Sequence, residues 1–275
     1  MQNSINLKKH LYNYGIDELA YYDQGKGEQT ILLIHGFGED HAIWKNQIEF
    51  LSTHYRVIAP NLPGVHCKPL ALHHSQAPNI RMYVEVLHEL MHHLHIEQYF
   101  IVGHSMGGYI GLSFADYYVN HVQGLLLFHS TTYEDNEAKK TNRMKVAEFI
   151  QEWGVSKYLE TATPNLFGDA FKKTNPGVIQ NVIESGSGIS QEAMIQFVFA
   201  MRNRKAMTHL LQQHTIPVWM IVGYADLAVP IQDSLEQIKL LPSSNSLVLN
   251  NVGHMGMFEA TDQVNEFIHQ CIQSA

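Results

Sequence analysis

Short apolar runs closed by glycine or proline recur along this chain, and they alternate with stretches whose apolar positions fall three and four residues apart. Residues 7–14 and 18–23 read as two strands joined at Gly15, the second ending at Gly25-Lys26-Gly27. Residues 31–34, 55–59, 99–102, 124–128, 217–222 and 246–249 read as six further strands, the second of them stopped by Pro60 and Pro63. Helical spacing covers about 41–51, 79–95, 108–118, 231–241 and 262–272. This alternation predicts an α/β fold: a mostly parallel, eight-stranded sheet with helices on both faces.

Between residues 131 and 215 the strand rhythm stops. The pattern there predicts several helices, broken at Gly154, Pro164, Pro176-Gly177 and the Gly186/Gly188 pair. The chain therefore divides into a core domain formed by residues 1–130 and 216–275, and a helical cap (lid) inserted at 131–215. Such an insertion sits over the carboxyl ends of the strands, where open α/β sheets bind ligands.

With 275 residues, 45% of them hydrophobic and 16% charged, the chain can bury a sizeable core. The net charge of −8, with no concentrated Lys/Arg patch, argues against nucleic acid or an anionic membrane as partner. The two cysteines, Cys67 and Cys271, form neither a metal-ligand spacing nor a CxxC motif and read as free thiols. No apolar run of signal-peptide length occurs near Met1, and the longest runs are strand-sized, so a cytoplasmic location is expected. His88, His92 and His95 share one helix face, but no carboxylate or thiolate completes a ligand set; no metal and no cofactor are expected.

The candidate chemistry begins at Gly103-His104-Ser105-Met106-Gly107. A G-x-S-x-G string arises by chance in roughly one chain in ten of this length, so its placement decides its meaning. Here it lies between a strand and a helix, which makes it a nucleophile elbow with Ser105 at the strained turn. A serine hydroxyl needs a positioned base, and the base needs an orienting acid. Asp226 follows a predicted strand in Gly223-Tyr224-Ala225-Asp226, and His254 follows the next in Asn251-Val252-Gly253-His254. Asp135, Asp169 and Asp233 are alternative acids, but none follows a strand in this way. The loop His35-Gly36-Phe37-Gly38 can offer the backbone N–H of Phe37 to an oxyanion, and Met106 can offer a second at the start of the elbow helix. His35 and His104 read as packing or hydrogen-bonding residues within their motifs.

With HGFG at 35–38, GHSMGG at 103–108, GYAD at 223–226 and VGH at 252–254 in this order, the chain resembles the α/β-hydrolase superfamily. It is similar to the group of small esterases, lactonases and carbon–carbon bond hydrolases. The resemblance spans residues 31–254 and implies Ser105, Asp226 and His254 as triad, with Phe37 and Met106 as oxyanion hole. It departs from the family at Asn61-Leu62-Pro63-Gly64-Val65-His66-Cys67-Lys68, where relatives carry Asp-x-x-Gly-x-Gly-x-Ser in a loop expected to border the pocket. Serine rather than aspartate at the elbow disfavours dehalogenase and epoxide hydrolase chemistry.

The expected function is cofactor-free hydrolysis of a small carboxylic ester, thioester or lactone through an acyl-enzyme. The partner is a small-molecule substrate with an apolar acyl part, and the protein is a monomer or homodimer. Carbon–carbon bond hydrolysis by the same triad is the alternative enzyme reading. A ligand sensor or signalling regulator that retains the triad is the alternative from another class.

Overall fold

Alternating apolar runs become a single mixed sheet in the computed structural model, which describes residues 7–15, 17–72, 77–213 and 215–275. Its strands are β1 (Lys9–Asn13), β2 (Glu18–Gln24), β3 (Thr30–Ile34), β4 (Arg56–Pro60), β5 (Tyr99–His104), β6 (Val122–Phe128), β7 (Val218–Gly223) and β8 (Ser246–Leu249). They lie in the order β1-β2-β4-β3-β5-β6-β7-β8. β2 runs antiparallel to both its neighbours, and every pair from β4 to β8 is parallel. The central strands β3, β5 and β7 are buried at every position. That is why they read as continuous apolar runs, whereas edge strand β1 alternates between exposed and half-buried residues.

The helices are α1 (Lys45–Leu51), α2 (Arg81–His93), α3 (Met106–Tyr117), α4 (Glu137–Ala162), α5 (Asp169–Thr174), α6 (Pro176–Ser187), α7 (Gln191–Arg202), α8 (His209–Gln213), α9 (Ile231–Ile238), α10 (Gly256–Glu259) and α11 (Thr261–Gln273). Helices α4 to α8 fall between β6 and β7, where the sequence predicts the helical insertion. The apolar core runs without a break from the sheet into these helices, through residues such as Ile150, Leu159 and Phe197.

Boundaries differ from the sequence reading where a single residue decides them. The helix expected from 41 opens as a 3₁₀ turn, His41–Trp44, because Asp40 caps it by accepting from the Ala42 amide at 2.8 Å. Strand β4 includes Pro60, which pairs with Tyr21 as its last residue. Gly186 lies inside α6 instead of breaking it: a Cβ there would stand 2.3 Å from the Gly38 carbonyl, so glycine serves close approach. Gly154 does break helical geometry, with φ +82° inside α4, and the helix bends there.

The histidines of α2, and His95 just after it, differ in exposure. His92, His93 and His95 are exposed, while His88 stacks on Tyr118 with ring centroids 3.8 Å apart. Cys67 and Cys271 are both free. Among the described residues no helix is long and apolar enough to cross a membrane.

Candidate active site

Five parallel strands deliver the candidate residues to one edge of the sheet: Phe37 after β3, Ser105 after β5, His129 after β6, Asp226 after β7 and His254 after β8. Ser105 sits between β5 and α3 with φ +52° and ψ −114°, a backbone conformation that serine rarely adopts. Its amide donates to the Phe128 carbonyl at 2.9 Å, and its carbonyl accepts from Ser130 Oγ at 2.8 Å. The turn is tight enough that a Cβ on Gly103 would meet the Gly107 carbonyl at 2.3 Å. The G-x-S-x-G spacing therefore follows from steric contact.

His254 Nδ1 stands 2.7 Å from Asp226 Oδ2, with both side chains buried. Asp226 Oδ1 is held by the amides of Ala228 at 2.8 Å and Val229 at 3.0 Å. An ionised carboxylate only accepts, so this bond fixes the proton on His254 Nδ1 and leaves Nε2 as the basic nitrogen. Burial opposes the Asp226 charge, but the facing His254 and His129 rings outweigh it and hold the carboxyl well below the ordinary range. Burial likewise disfavours a charged His254, yet the Asp226 carboxylate prevails and raises this imidazole above its usual value.

Met106 follows the serine directly, and Phe37 lines the same cavity. Neither backbone N–H has a hydrogen-bond acceptor among the described residues; Met106 opens α3, where first-turn amides lack intrahelical partners. Ser105, His254 and Phe37 all line one cavity of about 400 Å³, to which α4, α6 and α7 also contribute residues.

Three features around this constellation were not evident in the sequence. Glu39 and His104 form a buried pair, Oε2 to Nδ1 3.0 Å, and His104 Nε2 reaches the His254 carbonyl at 2.9 Å. Glu39 Oε2 also accepts from the Gly36 amide at 2.6 Å, so one carboxylate ties the 35–38 loop to the elbow strand. His129 is buried beside the acid, its Nδ1 accepting from the Gly223 amide at 3.1 Å and lying 3.5 Å from Asp226 Oδ2. Burial pushes His129 down to about 4, which keeps it neutral. Finally, Asp135 sits in the cavity wall with Arg143 Nε at 3.0 Å and Arg204 Nη1 at 2.9 Å.

His129, Asp226 and His254 are the one group of His, Cys, Asp and Glu side chains among the described residues whose ligand atoms converge as metal ligands would. Their facing atoms are taken up by the bonds just described.

Other expectations change. None of residues 61–68 lines the cavity; that loop instead supports the core and the inserted helices. Asn61 Oδ1 accepts from the His41 amide at 2.9 Å, His35 Nε2 accepts from the Leu62 amide at 2.9 Å, and Gly64 abuts Ala193 of α7. Among the aromatic residues in 131–215, Tyr158 lines the cavity, packing 5.8 Å from the Phe37 ring. Trp153 faces solvent, Phe167 stacks on Phe171, and Phe197 packs on Tyr83. The Arg204 side chain is buried against the Tyr109 ring at 4.1 Å, because its guanidinium finds Asp135 and two backbone carbonyls inside.

Comparison with known proteins agrees with this architecture. Residues 29–261 match the family model for the alpha/beta hydrolase fold. A 2-hydroxy-6-oxo-6-(2'-aminophenyl)hexa-2,4-dienoic acid hydrolase of Metapseudomonas resinovorans is 26% identical over 256 residues, covering 90% of this chain and 84% of that protein. A pimeloyl-[acyl-carrier protein] methyl ester esterase of Vibrio vulnificus is 24% identical, covering 94% of this chain and 98% of that protein. Among solved structures, a thermophilic esterase from Thermogutta terrifontis, with malate bound, superposes with a TM-score of 0.87 at 27% identity, covering 97% of this chain and 98% of that one. The motifs, the strand order and a family match that takes in most of the chain lead to one conclusion: the protein belongs to the α/β hydrolase fold family.

Proposed function

We propose that this protein is a serine hydrolase of small carboxylic esters, thioesters or lactones, with Ser105 as nucleophile, His254 as general base and acid, and Asp226 as the orienting carboxylate. The observation that carries this reading is the 2.7 Å bond from His254 Nδ1 to Asp226 in the wall of the cavity onto which Ser105 opens. Ser105 Oγ attacks the acyl carbon as His254 Nε2 takes its proton. The Phe37 and Met106 amides then bind the oxyanion. His254 returns the proton to the leaving group, and water, activated by the same histidine, releases the acyl group from Ser105.

In this reading residues 131–215 act as a cap whose helices close the acyl side of the cavity, over a core of residues 1–130 and 216–275. The apolar walls from Tyr158, Leu159 and Met201 support an apolar acyl part. Carbon–carbon bond hydrolysis is the second reading. It is favoured by a relative that hydrolyses an oxo-dienoic acid, and the same three residues would serve it.

The test is labelling with a fluorophosphonate and turnover of p-nitrophenyl butyrate. Wild-type protein should label at Ser105 and turn over the ester, while Ser105→Ala should lose both and keep its fold by circular dichroism. Ester turnover retained in Ser105→Ala would overturn the assignment. Faster turnover of a vinylogous diketone than of any ester would favour the second reading.

A further inference from the structure

The cavity that Ser105 lines carries, around Asp135, more positive charge than that acid neutralises. Asp135, 1% exposed at its side chain, faces two guanidinium groups. Burial would raise its carboxyl, but Arg143 and Arg204 outweigh that and keep it ionised. The two arginines are not equivalent. Arg204 is fully committed: Nε and Nη2 donate to the Tyr133 carbonyl at 3.2 and 3.0 Å, and Nη1 donates to the Met201 carbonyl at 2.8 Å while lying 2.9 Å from Asp135 Oδ1. Its planar face rests on the Tyr109 ring.

Arg143 is anchored by one atom alone, with Nε donating to Asp135 Oδ2 at 3.0 Å. Its Nη1 and Nη2 have no hydrogen-bond partner among the described residues, and the side chain, 23% exposed, lines the cavity. Two other charged groups in the lining are already engaged. Lys139 faces Asp233 at 3.7 Å, and Glu39 pairs with His104 beside the Ser105 end. With Arg204 balancing Asp135, the charge on Arg143 is left over, and its free fork has the geometry that binds a carboxylate through two parallel bonds.

We propose that Arg143 is the specificity-determining residue of this cavity and that the substrate carries a free carboxylate in addition to the acyl group that is cleaved. Asp135 and Arg204 act as its positioning residues: the acid fixes Arg143 through Nε, and Arg204 keeps that acid from cancelling it. The same cavity also has apolar lining, from Tyr158, Leu159, Val182 and Met201. The cavity therefore suits a half-ester or half-thioester of a dicarboxylic acid, or a lactone bearing a carboxylate. This inference rests on the serine-hydrolase reading for its chemistry but not for its binding site.

Two measurements test it. The first compares kcat/KM for the p-nitrophenyl half-ester of adipic acid with that for the same compound capped as its methyl ester. The wild type should prefer the free acid, and Arg143→Gln should lower the acid-to-capped ratio about 10- to 100-fold, the range a charge-assisted pair commands. Arg143→Lys should recover part of that ratio. A wild-type preference for the capped ester, or a ratio unmoved by Arg143→Gln, would overturn the proposal, because mere bracing of Asp135 would affect both compounds alike. The second measurement is the melting temperature of Ser105→Ala protein with adipate or adipamide. Adipate should raise it, adipamide should not, and the rise should vanish in the Ser105→Ala, Arg143→Gln double variant. An Arg143-dependent rise without any ester turnover would leave the carboxylate site standing and remove the hydrolase reading. Normal turnover with equal responses to the acid and the amide would do the reverse.

Discussion

Glu39 Oε2 lies 3.0 Å from His104 Nδ1 with both side chains buried, and the other nitrogen of His104 reaches the backbone carbonyl of His254. One pair of side chains thus joins the loop that holds Phe37, the strand that ends at Ser105 and the loop that holds His254. His104→Phe would leave the Glu39 carboxylate buried without that partner, and removing one member of a buried pair is costly. A loss of about 3–5 kcal/mol in urea unfolding is expected. A loss well under 1 kcal/mol would mean that the pair is not holding these segments together.

Asp226→Asn tests the orientation of the base. The amide can donate to His254 Nδ1, which reverses the tautomer and puts the proton on the nitrogen that should face Ser105. Turnover of a small ester should fall on the order of 10³- to 10⁴-fold, with a KM change much smaller than that. The comparison of kcat with KM reads this directly.

The pH profile follows from the raised His254. A general base works only when unprotonated, so kcat/KM should fall as pH drops through the pKa of His254. Because Asp226 raises that value, the acid limb should have its midpoint above the usual imidazole figure of about 6.5. Removing the carboxylate in Asp226→Asn should move the midpoint of the residual activity downward. His129, held neutral by burial, should add no second inflection between pH 5 and 8.

Gly186 makes a prediction from contact alone. A Cβ at this position of α6 would lie 2.3 Å from the Gly38 carbonyl, and backbone cannot yield as a flexible side chain would. Gly186→Ala should displace the loop that carries the Phe37 amide. Loss of one oxyanion donor costs on the order of a hundred- to thousand-fold in kcat, and partial displacement should cost a fraction of that range. Steady-state kinetics should show kcat falling more than KM rises.

Much of this was legible along the chain because it is local. The buried strands announce themselves as continuous apolar runs, and the elbow glycines are dictated by a turn whose contacts span five residues. Asp226 and His254 could be singled out because each follows a strand end. The supporting pairs were not legible. Glu39 and His104 are 65 residues apart, and nothing near either one predicts that the other will be its partner. His129 follows β6 as Asp226 follows β7, a strand-end signal that was available, but it belongs to no motif. Arg204 reads as a helix-end cation until folding brings Tyr109, Tyr133 and Asp135 around it. The 61–68 loop could be recognised as a departure in sequence, but its distance from the cavity is a property of the tertiary fold.

The bend at Gly154 gives α4 two functions that a straight helix would combine. Residues before it, Lys139, Asn142 and Arg143, contribute charge and hydrogen-bonding groups to the cavity; residues after it, Tyr158, Leu159 and Ala162, contribute apolar surface. Because the helical hydrogen-bond ladder is interrupted between them, a substitution that shifts one half need not rotate the other. If the proposed substrate is right, preference for its head group and preference for its chain length could change separately on this single helix.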